Sequence, residues 1–81
     1  MEKDLIFTGY KSGVGKSNKK YYMITFITPP VVNQNQDFAY SSNITIFTDE
    51  DKYNKFIKEH GLMDVVPISF EVNGDKVRYY L

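Results

Sequence analysis

One segment of this chain changes period, and its position restricts the fold more than any other feature. From Asp49 to His60, residues Tyr53, Phe56, Ile57 and His60 fall at i, i+3, i+4 and i+7. That spacing lines one face of a helix. Thr48 or Asp49 suits its N-cap, and Asp49, Glu50 and Asp51 place acids where the helix dipole favours them. Lys58 and His60 occupy the last turn, and Gly61 is expected as the stop. Asp49–Asp51 also spell a short acidic run. Consecutive residues fan around a helix turn, so they read as capping residues and not as a metal or acid–base site.

The segments around this helix have strand character. Strands are predicted over Asp4 to Tyr10 (DLIFTGY), Tyr21 to Thr28 (YYMITFIT) and Asn43 to Thr48 (NITIFT). After the helix they are predicted over Val65 to Val72 (VVPISFEV) and Lys76 to Leu81 (KVRYYL). Pro29-Pro30 ends the second strand, since proline cannot donate to a ladder. Asn73-Gly74 is a hairpin turn signal joining the last two. Lys11 to Lys20 reads as a polar basic loop, and Val31 to Ser42 as a long polar loop holding Phe38 and Tyr40. Five strands with one helix between the third and fourth is the order of the OB-fold, a small Greek-key barrel. SH3-like barrels compete but lack a full helix there. The expected fold is therefore all-β with one helix, a single OB-fold domain over residues 1–81.

A chain of 81 residues buries only about 60–65% of its unfolded surface. It has no Cys and a single His60, so neither disulfides nor a thiolate or imidazole metal cluster is expected. No cofactor is expected. The most apolar run, Tyr22 to Val32, is broken by Thr and Pro, and no secretory signal or membrane span is read. A cytoplasmic protein, in a host cytoplasm if phage-encoded, is the expectation.

Residues Lys11 to Ser17 spell KSGVGKS, which looks like a nucleotide phosphate loop. A full Walker loop needs Gly where Tyr10 stands. A variant with Lys at its front fits except at Ser12. Context argues against both: such a loop opens a helix whose N-terminus receives the phosphates, and here Tyr21-Tyr22 and a β-alternating run follow. Two readings remain. The loop is a solvated hairpin, or it is a basic finger that reaches along a phosphate backbone. Net charge is zero, but no Asp or Glu falls between Leu5 and Gln36, and Lys11, Lys16, Lys19 and Lys20 cluster there. A neutral chain thus carries a basic edge.

Single-strand binding needs a positive groove and aromatic faces on which bases stack. Seven Tyr and six Phe supply candidates. In the second strand Tyr22, Ile24 and Phe26 suit the interior, leaving Tyr21, Met23, Thr25 and Ile27 outward. In the third, Ile44 and Ile46 point in, and Asn43, Thr45 and Phe47 point out. Val66, Ile68, Phe70 and Val72 share one face of the fourth; Val77, Tyr79 and Leu81 point in from the fifth, with Lys76, Arg78 and Tyr80 outward. Tyr21 and Tyr40 read either as stacking platforms or as ordinary surface. Phe47 stacks bases or is covered by the long loop or a second subunit. Tyr80 serves a base or a dimer contact, and Phe38 pins its loop to the barrel. No Ser-His-Asp, Cys-His or supported carboxylate pair is present, so no enzyme is expected.

Ser12-Gly13-Val14 followed by Lys20-Tyr21, and Tyr40 leading to Ile46 and then Asp49-Glu50, carry a family likeness. Over Thr8 to the C-terminus the chain resembles the small OB-fold single-stranded-DNA-binding (helix-destabilising) proteins of filamentous phages. The resemblance implies cooperative, sequence-tolerant coating of single strands by a homodimer, in phage or plasmid DNA replication. It implies base contacts at Tyr21, Met23 and Tyr40. The chain departs from that pattern in having a proper helix after the third strand. Its last hairpin is short and has no aromatic tip. It shows no acidic C-terminal tail of the kind that recruits repair partners.

The functional expectation is a non-enzymatic single-stranded DNA-binding protein. Lys11, Lys16, Lys19, Lys20 and Arg78 contact phosphates; Tyr21, Met23, Tyr40, Phe47 and Tyr80 meet bases. RNA is a further candidate ligand, because stacking and phosphate contacts do not read the sugar. The rival expectation is a protein-binding accessory or inhibitor module that uses the same aromatics as anchors.

Overall fold

Strand β1 runs from Glu2 to Val14 and pairs antiparallel with β2, Lys20–Ile27. The computed structural model describes residues 1–36 and 38–81. The remaining elements are β3 (Val31–Val32), β4 (Ala39–Tyr40), β5 (Asn43–Thr48), α1 (Glu50–Glu59), β6 (Val65–Asn73) and β7 (Lys76–Tyr80). The protein is mostly β with one helix. Its main sheet has the order β5-β2-β1-β6-β7 and curls into a nearly closed barrel-like form. Among the described residues its two edge strands, β5 and β7, are not paired with each other. No helix among them is long and apolar enough to cross a membrane.

The core lies inside the curl. Leu5, Phe7, Ile24, Phe26, Ile46, Val66 and Ile68 from the sheet meet Tyr53 and Phe56 from α1, and all are buried. The helix lays its predicted stripe there because Leu5, Phe7, Ile24, Phe26, Ile46, Val66 and Ile68 make the middle of that face apolar. The Phe56 ring meets Phe7 edge-on at 5.0 Å and Phe26 at 5.6 Å. Asp49 caps the helix by accepting from the Lys52 N–H at 2.8 Å. The other end differs from expectation. His60 is the C-cap with extended backbone, and the left-handed residue is Met63 at φ 73°, not Gly61. Gly61 instead donates its N–H to Asp64 Oδ2 at 2.8 Å.

A β-bulge sets the faces of β1. The register shifts between Phe7 and Gly9, leaving Thr8 as the extra residue. Leu5 and Phe7 face inward below it. Strict alternation would carry Gly9, Lys11 and Gly13 inward as well. The bulge moves them to the outer face, where Gly9 meets Thr25, Lys11 meets Met23 and Gly13 meets Tyr21.

The two predicted loops are corrected. Lys11 to Val14 continue β1 in ladder with β2, so only Gly15 to Lys19 turn. The result is a β-ribbon that overhangs the sheet, in place of a loop beginning at Lys11. Its turn is held by Gly15 N–H to Lys19 O at 2.8 Å and Asn18 N–H to Gly15 O at 3.0 Å. The second loop contains its own small ribbon, with Val31 opposite Tyr40 and Val32 opposite Ala39. The last hairpin turns on Gly74-Asp75, one residue later than the Asn73-Gly74 signal, with Gly74 at φ 65°. A left-handed Gly at the first of two turn residues suits a hairpin. Val72 and Val77, expected inward, are exposed, because this hairpin extends past the end of β1 and has no core beneath it. Tyr79 and Leu81 do pack against the core.

Candidate nucleic-acid interface

The outer face of the sheet carries a row that crosses three strands in register: Phe47 on β5, Met23 on β2 and Lys11 on β1. Antiparallel pairing fixes this row, since directly opposed residues share a face. Phe47 is 70% exposed although it is a large apolar side chain within a strand. Met23 between them is half-buried.

The next position up the sheet is Tyr21 opposite Gly13. The Tyr21 ring lies over the Gly13 backbone: a Cβ built there would stand 2.8 Å from Tyr21 Oη and 3.0 Å from Cζ. Glycine at this point of KSGVGKS therefore makes room for an aromatic ring. Lys16 and Lys19 stand at the ribbon tip, and both are exposed.

Not every expected residue joins this patch. Lys20 pairs with Val14, and the same ladder face holds Ser12 and Tyr22. Lys20 thus looks away from Tyr21 and Lys11, into a shallow depression of about 250 Å³ lined by Ser12, Gly13, Val14, Lys20 and Tyr22. Arg78 and Tyr80 are outward on β7, with Arg78 opposite Glu71 and Tyr80 opposite Ser69. Counting along the ladders at about 3.3 Å per residue puts Arg78 on the order of 30 Å from Lys11. Tyr40 is exposed on β4 and stacks against Phe38, ring centroids 6.4 Å apart at 24°. Phe38 is itself 58% exposed and packs on Tyr40, which corrects the expectation that it pins its loop to the barrel.

Charge divides the outer face. Lys11 and the ribbon-tip Lys16 and Lys19 lie at one end, whereas Glu2 and Asp4 of β1 lie at the other, where Glu71 of β6 stands opposite Arg78. An anionic chain is drawn more strongly to the first end than to the second. On the inner side Tyr22 touches Tyr53 at 5.2 Å. Burial raises its phenol pKa above the ordinary 10.0, and the Glu50 carboxylate, which accepts its hydrogen bond, pushes the same way. Tyr22 therefore belongs to the seam between ribbon and helix and not to the outer surface.

The sequence signal that reading by pattern missed is the pair Thr8-Gly9. A Gly inside a strand run marks a bulge or a close approach, and Gly9 is both: a Cβ there would stand 2.9 Å from Thr25 Oγ1. No protein-family model, curated protein or solved structure matches the chain.

Proposed function

We propose that this protein is a non-enzymatic, sequence-tolerant single-stranded DNA-binding protein built as an OB-type barrel. The observation that carries the reading is the Phe47–Met23–Lys11 row, flanked by Tyr21 on its glycine seat and by the Lys16 and Lys19 ribbon tip. Aromatic and thioether faces beside a line of cations are what base stacking with phosphate neutralisation requires. OB-folds use the face of their second and third strands with the adjoining hairpin for this purpose. In this protein those strands are β2 and β5. The strand order, with β1 between β2 and β6 and the helix between β5 and β6, supports the OB reading.

The uneven charge supports one path. The bound strand crosses β1, β2 and β5 near the ribbon, across the direction of the protein strands. It does not run down β1 toward Asp4 and Glu2. Tyr40 with Phe38 supplies a further stacking surface on its own ribbon. Phage or plasmid replication is the setting that the family likeness supports.

A charge-reversal variant, Lys11→Glu with Lys16→Glu and Lys19→Glu, tests this against the protein-docking alternative. Gel shifts with oligo-dT are expected to vanish in the variant while its circular dichroism stays that of the parent. Retained binding in the folded variant contradicts the assignment.

A further inference from the structure

Among the described residues the outer edge of β5 has no strand paired to it, and its chemistry selects what fits it. Thr28 N–H donates to Ser42 O at 2.9 Å across the start of the β2–β5 ladder. Antiparallel ladders alternate bonded and non-bonded pairs. In step with Thr28–Ser42, the pairs Phe26–Ile44, Ile24–Ile46 and Tyr22–Thr48 bond. The pairs Ile27–Asn43, Thr25–Thr45 and Met23–Phe47 alternate with them and do not. The N–H and C=O groups of Asn43, Thr45 and Phe47 therefore point away from β2, toward the open edge.

Edge strands are ordinarily protected by charges, prolines or bulges. β5 reads NITIFT, with none of these, and its register with β2 is unbroken. The opposite edge, β7, carries Lys76 and Arg78. The backbone of this edge is also self-complementary. A two-fold axis through Thr45 sets Thr45 against the partner's Thr45 and Asn43 against the partner's Phe47, so every edge-facing backbone group finds a mate. The same axis sets Ile44 against the partner's Ile46 on the core side, a favourable β-branched pair. Axes through Ile44 or Ile46 leave some of these groups unpaired.

We infer that a second copy of this chain docks on β5 by antiparallel β5–β5 pairing about Thr45, giving one sheet continuous through both copies. A self-matching edge closes as a two-fold dimer and does not propagate. The contact is independent of the DNA reading, because its donors and acceptors are backbone groups on the edge. On that reading it joins two Phe47–Met23–Lys11 rows on a single outer surface.

Sedimentation equilibrium from micromolar to near-millimolar protein tests it, with Thr45→Pro and Thr45→Lys beside the parent chain. Proline at Thr45 removes an N–H that points to the edge and not to β2, a placement that edge strands tolerate. The parent is expected to show a reversible monomer–dimer equilibrium. Thr45→Pro is expected to stay monomeric with unchanged far-ultraviolet circular dichroism. Thr45→Lys, which sets like charges together on the axis, is expected to raise the dimer Kd several-fold. If Thr45→Pro does not fold, Thr45→Lys decides alone. A parent that is monomeric throughout, a parent that assembles beyond the dimer, or folded variants that dimerise as tightly as the parent overturn the inference.

Discussion

The Tyr21 ring lies across Gly13 so closely that any side chain at Gly13 would displace it. The two residues face each other across the β1–β2 ladder, so the smallest residue seats one of the largest. Gly13→Ala should therefore move the ring without unfolding the ribbon, since a ring end is free to swing. Stability should change by less than about 1 kcal/mol, because alanine is also the better strand residue. Oligo-dT affinity should fall several-fold, approaching the effect of Tyr21→Ala. Melting curves and titrations on the two variants check this. Unchanged affinity in Gly13→Ala would show that the seat has no binding role.

Phe26 and Phe47 separate packing from binding. Phe26 is fully buried and touches Phe7 and Phe56; Phe26→Ala should cost about 3–5 kcal/mol in urea denaturation. Phe47 is 70% exposed; Phe47→Ala should change stability by at most about 0.5 kcal/mol. Its loss should weaken single-strand binding by about 1–3 kcal/mol. A large stability loss at Phe47 would mean that the ring is covered in solution.

Salt dependence distinguishes the lysines. On single strands each phosphate contact contributes about 0.7 to the log–log slope of affinity against salt. Lys11→Ala and Lys19→Ala should each lower the slope by about that amount. Lys20→Ala and Arg78→Ala should lower it less, because Lys20 shares a face with Tyr22 and Arg78 stands opposite Glu71. Equal slopes for all of these variants would contradict the path across β1, β2 and β5.

Tyr22 gives a pH signature of the seam between ribbon and helix. Its phenol is raised above 10.0 by burial and by Glu50, so the folded state holds the proton more tightly than the unfolded chain does. Below about pH 10 that contribution is fully present; it is lost as pH rises through the folded value. The urea midpoint of the parent should decline above about pH 10, and Tyr22→Phe should lessen the decline. Glu50→Gln should bring the Tyr22 titration, read by tyrosinate absorbance, back toward the ordinary value.

The helix, a cap at Thr48 or Asp49, and the inward faces of β2 and β5 were legible in the sequence because each rests on one local rule. Period fixes the stripe Tyr53, Phe56 and Ile57, and alternation fixes Ile24 and Phe26. The ribbon was not legible. Lys11 and Gly13 disfavour a strand in isolation, and Lys11 to Val14 extend because β2 offers a partner for every one of them. The bulge at Thr8 was hidden for a related reason: alternation counted from Leu5 puts Lys11 on the wrong face, and only the ladder with β2 reveals the extra residue. The separation of Lys20 from Lys11 follows from the same pairing, as does the distance of Arg78. The family likeness names Tyr21, Met23 and Tyr40; the outer row contains Met23 directly, with Tyr21 beside it and Tyr40 on a separate ribbon.

Tyrosine fluorescence of the parent chain, titrated with oligo-dT at low salt, tests the central claim most directly. Stacking on Tyr21 and Tyr40 should quench the emission saturably, and added salt should reverse the quench along a linear log–log plot. No quenching, together with no gel shift at low salt, would contradict single-strand binding by this face.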